Sequence, residues 1–524
     1  MGEILKFFET GKAAGGKKRA GELAAKIAKA VGLEAYPKSL AAREGGAAFV
    51  ARAGIEKSLL VAAGGGKEPS WVWEFTGRKA SAKIGREGIS ITVCPLGHEN
   101  AAALRRNFPF TAPRCFGTRA SAGLGDRLGI ATPGHIRAAA KSGLALYLAQ
   151  QSIREMTRTG REARQVMDDA TWGVFQEGWR EGFGSDADHL KATADIDTCA
   201  AAGFTMYTID PGEHVDNAAE GLDAGALKAR FEGLDWAALE TTAAETRREY
   251  LSKSIKLGGR VKIAADEGAL LKAAVKYGAA AAHTAAMYRH LAGRMGDRPF
   301  ELEVSVDETA TPTSTFEHYF VARELRRLGV KWVSLAPRFV GEFEKGIDYK
   351  GNLKAFEKSF EEHVAVMREL GPYKMSIHSG SDKFSIYPII ARHAEGFVHL
   401  KTAGTSYLEA LRVLADIAPD LFREILEFAF ERYETDKKSY HVSADLARVP
   451  RAKDLADKDL SKVLDTDDGR QLLHVTFGSV LTTRVEGRYL FRERLLEALR
   501  SDEEAYYRAL IKHIGRHVRP FAAK

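Results

Sequence analysis

The residues most able to do chemistry lie in Gly182-Phe-Gly-Ser-Asp-Ala-Asp-His-Leu-Lys191, whose core is the adjacent pair Asp188 and His189. An acid beside an imidazole at the end of a short strand suits a metal ligand next to a proton-transfer group. Later strands end in the same way. Glu301-Leu-Glu-Val-Ser-Val-Asp307 alternates Leu302, Val304 and Val306 with Glu301, Glu303, Ser305 and Asp307. Met375-Ser-Ile-His378 sets Ser376 and His378 against two apolar residues. Val398-His-Leu-Lys401 does so with His399 and Lys401, and His441-Val-Ser-Ala-Asp445 with His441, Ser443 and Asp445. Side chains alternate across a strand, so each apolar set should meet a helix layer and each polar set should share an interior. One such strand reads as a solvated edge. Four read as a site, because so many ionisable groups in an interior must pair with each other, a metal or a ligand.

The elements that would position these residues alternate strand and helix from Phe116 onward. Strand candidates are Phe116–Leu128, the Asp188–His189 strand, Phe204–Asp210, Phe300–Asp307, Lys331–Arg338, Lys374–His378, Phe397–Lys401 and Tyr440–Asp445. Helical patterns include Ile136–Gln151, Glu317–Leu328, Phe356–Leu370 and Ser406–Ala415. Eight strand–helix units predict an α/β protein, a (β/α)8 TIM-type barrel. The expected organisation is a small N-terminal α+β appendage (1–115), the barrel (116–450) with a helical insertion at about 217–298 covering one end, and a helical C-terminal extension (451–524) packed outside. In the appendage the pattern predicts a helix at Gly21–Ala30 and strands at Ala47–Ala53, Ser58–Ala63, Trp71–Thr76 and Ile89–Val93. Gly64-Gly-Gly-Lys-Glu-Pro-Ser lacks the spacing of a phosphate loop and reads as a turn.

Barrel chemistry gathers at the C-terminal ends of the strands. The candidates there are Asp126, Asp188, His189, Asp210, Asp307, Glu308, Arg338, His378, Lys401 and Asp445. His189 and His378 end different strands and could share one divalent cation such as zinc or manganese. The third ligand is either Glu342, in the loop after Arg338, or His399, two residues short of its strand's end. Arg338 and Lys401 could bind a substrate carboxylate or could balance neighbouring acids.

Composition sets the outer limits. The 524 residues carry a formal net charge of +7 with 28% charged residues interspersed in sign, which gives no basic stripe for a nucleic acid. Three cysteines without a CxxC pair argue against a disulfide framework or zinc knuckle. No apolar run reaches the ~18 residues of a membrane span, and the start lacks a signal-peptide core, so a cytoplasmic location is expected. The chain is compatible with a homo-oligomer.

Ala187-Asp-His-Leu-Lys191, Thr205-Met-Tyr-Thr-Ile-Asp-Pro-Gly-Glu-His-Val-Asp-Asn217 and Val306-Asp-Glu-Thr309 together resemble the tagaturonate epimerase family. So do Gly341-Glu-Phe-Glu-Lys-Gly-Ile-Asp-Tyr349, Ser376-Ile-His-Ser-Gly-Ser-Asp-Lys-Phe384 and His399-Leu-Lys-Thr-Ala-Gly-Thr-Ser-Tyr407. These are bacterial hexuronate-pathway enzymes, and the likeness runs from about Phe116 to the C-terminus. It implies an anionic keto-sugar acid as substrate and interconversion of D-tagaturonate with D-fructuronate. The Asp-His pair and the His-Ser-Gly-Ser run are also similar to class II metal-dependent aldolases. That second resemblance implies Asp188 as the first proton-transfer group and His189 and His378 as metal ligands. Glu303, from its place on the lumen face, is the second acid/base group, and Glu342 is the further metal ligand taken from the loop after Arg338. The two 5-ketohexonates differ at C3, whose hydrogen the C5 ketone does not acidify. Retro-aldol cleavage of C3–C4, a turn of the aldehyde face and re-addition would invert that centre. Two alternatives remain: a metal-dependent sugar aldolase or isomerase that releases its products, and a non-catalytic barrel subunit of an aldolase.

Overall fold

The computed structural model describes residues 3–11, 16–64, 66, 68–252, 255–257, 261–263, 265–378, 382–402 and 404–522. The Gly64–Ser70 turn falls partly outside these residues, as do 379–381 of the His-Ser-Gly-Ser run.

Six strands form an N-terminal sheet: β1 (Glu34–Ala35), β2 (Ala41–Arg43), β3 (Gly46–Ala53), β4 (Glu56–Gly64), β5 (Arg78–Ile84) and β6 (Glu87–Pro95). Period-2 alternation gives the sheet two apolar faces. Phe49, Leu60 and Ala62 pack on Phe7, Leu23 and Ile27 of the first two helices. Val50, Leu59 and Val61 belong to a second cluster with Trp172 and Phe175, from the helix Ala163–Glu177. Trp71–Thr76, expected as a strand, is instead a 3-10 turn over Ser70–Glu74. Trp71 turns inward there, edge-on to Phe75 and Phe108.

The barrel strands are β7 (Ser121–Gly123), β8 (Ala145–Ser152), β9 (Gly184–Leu190) and β10 (Met206–Ile209). After the hairpin β11 (Ile255–Leu257) and β12 (Val261–Ile263) come β13 (Glu301–Val306), β14 (Ser334–Pro337), β15 (Lys374–His378) and β16 (Val398–Lys401). The eight barrel strands pair in parallel in sequence order, and β16 closes on β7. Two expectations fail. The helix foreseen at Ile136–Gln151 stops at Ala139, Gly143 takes φ +77, and β8 follows. Every residue of β8 is buried, so its sequence carries no alternation to betray it. Tyr440–Asp445 is no strand. It is an irregular segment that docks through side chains, with Gln471 accepting the Ser443 N–H and Glu344 accepting its hydroxyl.

The insertion also lies elsewhere than foreseen. Its long helix, Glu267–Met295, packs between Thr193–Ala202 and Thr315–Arg327 in the helix ring, so it runs along the barrel wall rather than across one end. The C-terminal helix Glu503–Val518 packs on Thr132–Ala139 and Thr405–Ile417. Among the described residues no helix is long and apolar enough to cross a membrane.

Buried neutral histidines join several of these elements. His135 bonds Ser406 at 2.6 Å, and His363 meets His318, which bonds the Tyr373 hydroxyl at 2.8 Å. Burial pushes His135 and His363 down to about 4. An unfolded histidine titrates near 6.5, so between these values the unfolded chain binds protons the folded chain refuses. Their contribution to stability is complete above about pH 6.5 and is lost as the pH falls toward 4. The thermal midpoint should therefore drop between pH 7 and 4.5, and His363→Gln should drop less steeply than the parent.

Candidate active site

The barrel interior is built in layers. In the lowest, Glu301 accepts the Tyr147 hydroxyl at 2.5 Å and the Phe116 N–H at 2.5 Å, while His399 bonds Ser121 at 2.8 Å. His399 thus sits below the mouth, among Tyr147 and Ser121, away from His189 and His378.

One layer up, the Lys401 ammonium lies 2.9 Å from Asp186, 2.7 Å from Asp188 and 2.7 Å from Glu303, and it donates to Thr208. All five side chains are buried. Burial alone would neutralise Lys401, but the three carboxylates hold its pKa well above the usual lysine value. Burial likewise pushes Asp188 and Glu303 up, and Lys401 outweighs it, keeping both far below the ordinary carboxylate range.

The top layer is the mouth. His189 follows Asp188 directly, so in a regular strand it would face the helices. Instead the β9–β10 register slips between Tyr207 and Ile209, and His189 takes φ +50. This bulge turns two consecutive side chains into the lumen. The His189 ring then lies 5.0 Å from the His378 ring, edge to face. His189 Nδ1 is 3.2 Å from Asp210, and His378 Nδ1 is 3.4 Å from Asp307. Each ring therefore presents Nε2 inward, 3.7 Å from Asp188 for His189 and 2.6 Å from Glu303 for His378. Burial opposes charge on both rings. Asp188 and Asp210 nevertheless raise His189 to about 9, and Asp307 with Glu303 raises His378 to about 10.

Asp188, His189 and His378 each offer a ligand atom within 4.8 Å of the others. The residues fit a divalent cation. One carboxylate and two imidazoles form the donor set, and a carboxylate orients each ring through Nδ1. Five carboxyls, Asp186, Asp188, Asp210, Glu303 and Asp307, face one ammonium and the two imidazoles, an excess of acid that suits a divalent cation between the rings. Glu303 Oε2 is buried without a hydrogen-bond partner among the described residues.

Of the residues proposed from sequence, Asp188, His189, Glu303, His378 and Lys401 come together. Glu342 does not. It is exposed and paired with His441 at 2.7 Å, because the loop after β14 turns it to the surface. Arg338 donates to the Thr309 carbonyl and lines a neighbouring cavity of about 550 Å³. Asp126 caps its own loop through the N–H groups of Leu128, Gly129 and Ala131, and Asp445 is exposed.

Sequence reasoning missed several residues. Gln150 donates to Asp188 Oδ2 at 2.9 Å, from the strand taken for a helix. Asp186 was legible, two residues before Asp188 on the same face. Arg127, Arg154, Lys345, Tyr440 and His474 line a cavity of about 40 Å³ over Asp188, His189 and His378. They arrive from loops and helices whose approach no local pattern announces. Arg127 stacks on Phe477 at 3.6 Å and gives two hydrogen bonds to Glu155. Its Nη1 is buried with no partner among the described residues.

A closed parallel barrel with convergent histidines and carboxylates at its C-terminal mouth defines a (β/α)8-barrel enzyme. Comparison with known proteins narrows the class. The family model described as UxaE, tagaturonate epimerase, matches residues 36–521. A tagaturonate/fructuronate epimerase of Thermotoga maritima is 46% identical over 487 residues, 93% of this chain and 96% of that protein. Crystal structures of the fructuronate-tagaturonate epimerase UxaE from Cohnella laeviribosi superpose with a TM-score of 0.88 at 37% identity. The native form covers 96% of this chain and 100% of its own, and a glycerol complex 95% and 98%. The chain belongs to the tagaturonate epimerase family.

Removing the central ammonium should be costly, because three buried carboxyls lose their shared counter-charge. Lys401→Met is expected to cost roughly 3–5 kcal/mol of stability, read as a lowered unfolding midpoint in denaturant.

Proposed function

We propose that this protein interconverts D-tagaturonate and D-fructuronate by inversion at C3, at the mouth formed by Asp188, His189 and His378. The observation that carries the reading is the bulge at His189. It is a left-handed, strained position whose side chain completes a cation-binding donor set. Family membership supplies the substrate pair. His189 and His378 would hold the divalent cation beside Asp188, and when bound it supplies positive charge to the substrate's C5 ketone.

The chain's own residues do the rest. The two cavities share Lys345, His378 and Tyr440, so together they accept an extended six-carbon chain. Arg127 Nη1, with Arg154 and Lys345, receives the carboxylate, since a buried guanidinium nitrogen needs an acceptor. Arg338 reaches the substrate from the wider cavity. Lys401 is committed to the acids beneath and keeps them ionised. Asp188 lines the small cavity and takes the proton of the C3 hydroxyl as the C3–C4 bond breaks, the electron pair passing to an enolate over C4 and C5. It returns the proton after the aldehyde has turned and the bond has re-formed. Glu303 lies a layer below, bonded to Lys401 and 2.6 Å from His378 Nε2. With that nitrogen given to the cation, its carboxylate, whose Oε2 has no partner among the described residues, serves as the second proton-transfer group.

The test is NMR of purified protein with D-tagaturonate, after EDTA and after divalent metals are restored. Fructuronate should form only with metal, and no three-carbon aldehyde should accumulate. Accumulating aldehyde would mark a product-releasing aldolase, and no turnover with any metal would mark a non-catalytic barrel. Asp188→Asn should lower kcat by about 10²–10⁴, and full activity in that variant would remove Asp188 from the role. Arg127→Met should raise KM for the sugar acid more than it lowers kcat.

A further inference from the structure

A second convergence of ligating side chains lies away from the barrel mouth, where the C-terminal helix crosses the segment following β15. His513 and His517 stand four residues apart on the helix Glu503–Val518, so both rings leave the same face. Their Nε2 atoms are 3.4 Å from each other and 2.9 and 3.0 Å from a single atom, Asp382 Oδ1. The three residues are buried, at 5%, 6% and 0% exposure for Asp382, His513 and His517.

What surrounds them fixes how the rings are presented. His513 Nδ1 lies 3.2 Å from the Glu409 carboxylate, and His517 Nδ1 lies 2.9 Å from the Tyr387 hydroxyl. Arg470 binds the other Asp382 oxygen, Oδ2, and is itself held by the Gly346 and Leu464 carbonyls. Oδ1 is left facing the rings. With each Nδ1 turned to an oxygen, two Nε2 atoms and a carboxylate oxygen point at one spot. Tetrahedral zinc with bonds near 2.0–2.2 Å has ligand–ligand edges of roughly 3.3–3.6 Å, so the 3.4 Å between the rings is one such edge. The 2.9 and 3.0 Å from the rings to Asp382 Oδ1, which are hydrogen-bond lengths, would open by a few tenths of an ångström around the ion.

We propose that Asp382, His513 and His517 bind a structural divalent cation of the zinc class, distinct from the cluster at the mouth, that pins the C-terminal helix to the loop after β15. Glu409 and Tyr387 orient the rings from outside, as carboxylates and hydroxyls do around metal-bound histidines. The cation would thereby fasten the segment that begins four residues after His378, and its removal should loosen the C-terminal helix.

The test counts metal and does not rely on turnover. Full-length protein is loaded with zinc, freed of excess by gel filtration and analysed by elemental mass spectrometry. His513→Gln and His517→Gln should each lose one equivalent per chain relative to the parent. His378→Gln should keep that equivalent and lose it only when combined with His513→Gln. Crystals of the zinc-loaded parent should show an anomalous peak between Asp382, His513 and His517, a readout that stands even if the variants fail to fold. Zinc contents of the His513 and His517 variants equal to the parent's would overturn the proposal. So would crystals lacking that peak, which would leave Asp382 as an acceptor of two imidazole N–H groups.

Discussion

The structure depends on one buried charge interaction, the Lys401 ammonium set among Asp186, Asp188 and Glu303 in the barrel interior. Isolated, any of these groups would shed its charge, because desolvation costs several kcal/mol per ion. Together they stay ionised, and the arrangement fixes the orientation of the acids that rise to the mouth. Glu303 bonds His378, Asp188 bonds Gln150, and Thr208 ties Asp186 to the same lysine. The barrel interior is thus a polar scaffold whose geometry is specified by charge pairing, while the helix layer outside it supplies the apolar burial.

On that scaffold a single backbone irregularity makes the site. The bulge at Asp188–His189 places an acid and an imidazole side by side where regular pleating would separate them to opposite faces. The strain is localised at one residue with φ +50 and is compensated by the ion contacts of His189 with Asp188 and Asp210. Outward of this layer the cations Arg127, Arg154 and Lys345 provide the positive field that an anionic sugar acid requires, and none of the three belongs to a barrel strand.

The elements beyond the barrel contribute by bracing its loops. Arg470 and Gln471, from the helix Asp467–Val475, reach the loops after β14 and β15. Lys383 donates to the carbonyls of Glu344 and Ile347, joining those two loops around Lys345. Glu503 at the head of the last helix accepts from Tyr36, just after β1, and from Lys57 of β4. The C-terminal segment therefore contacts both the sheet and the barrel mouth.

Local sequence determined much of this. Alternation in Glu301–Asp307, Met375–His378 and Val398–Lys401 is a property of neighbouring residues, and it was enough to place Glu303, His378 and Lys401 in one interior. The succession of strand and helix patterns foresaw a (β/α)8 barrel, with Tyr440–Asp445 counted in place of Ala145–Ser152. The Asp-His pair was equally plain, although not the bulge that makes both residues usable, since a bulge is set by the register of a partner strand. Tertiary structure alone decided the rest. A strand buried on both faces, Ala145–Ser152, has no periodicity to read, so Gln150 stayed hidden behind a helical assignment. Tyr440–Asp445 alternates like a strand but has no free strand edge to join once β8 completes the barrel. Glu342 was placed by its position after a strand, and only the path of the loop shows that it turns to the surface and His441. Arg127, Lys345 and His474 are brought over the mouth from separate segments of the chain, by packing that no short stretch of sequence encodes.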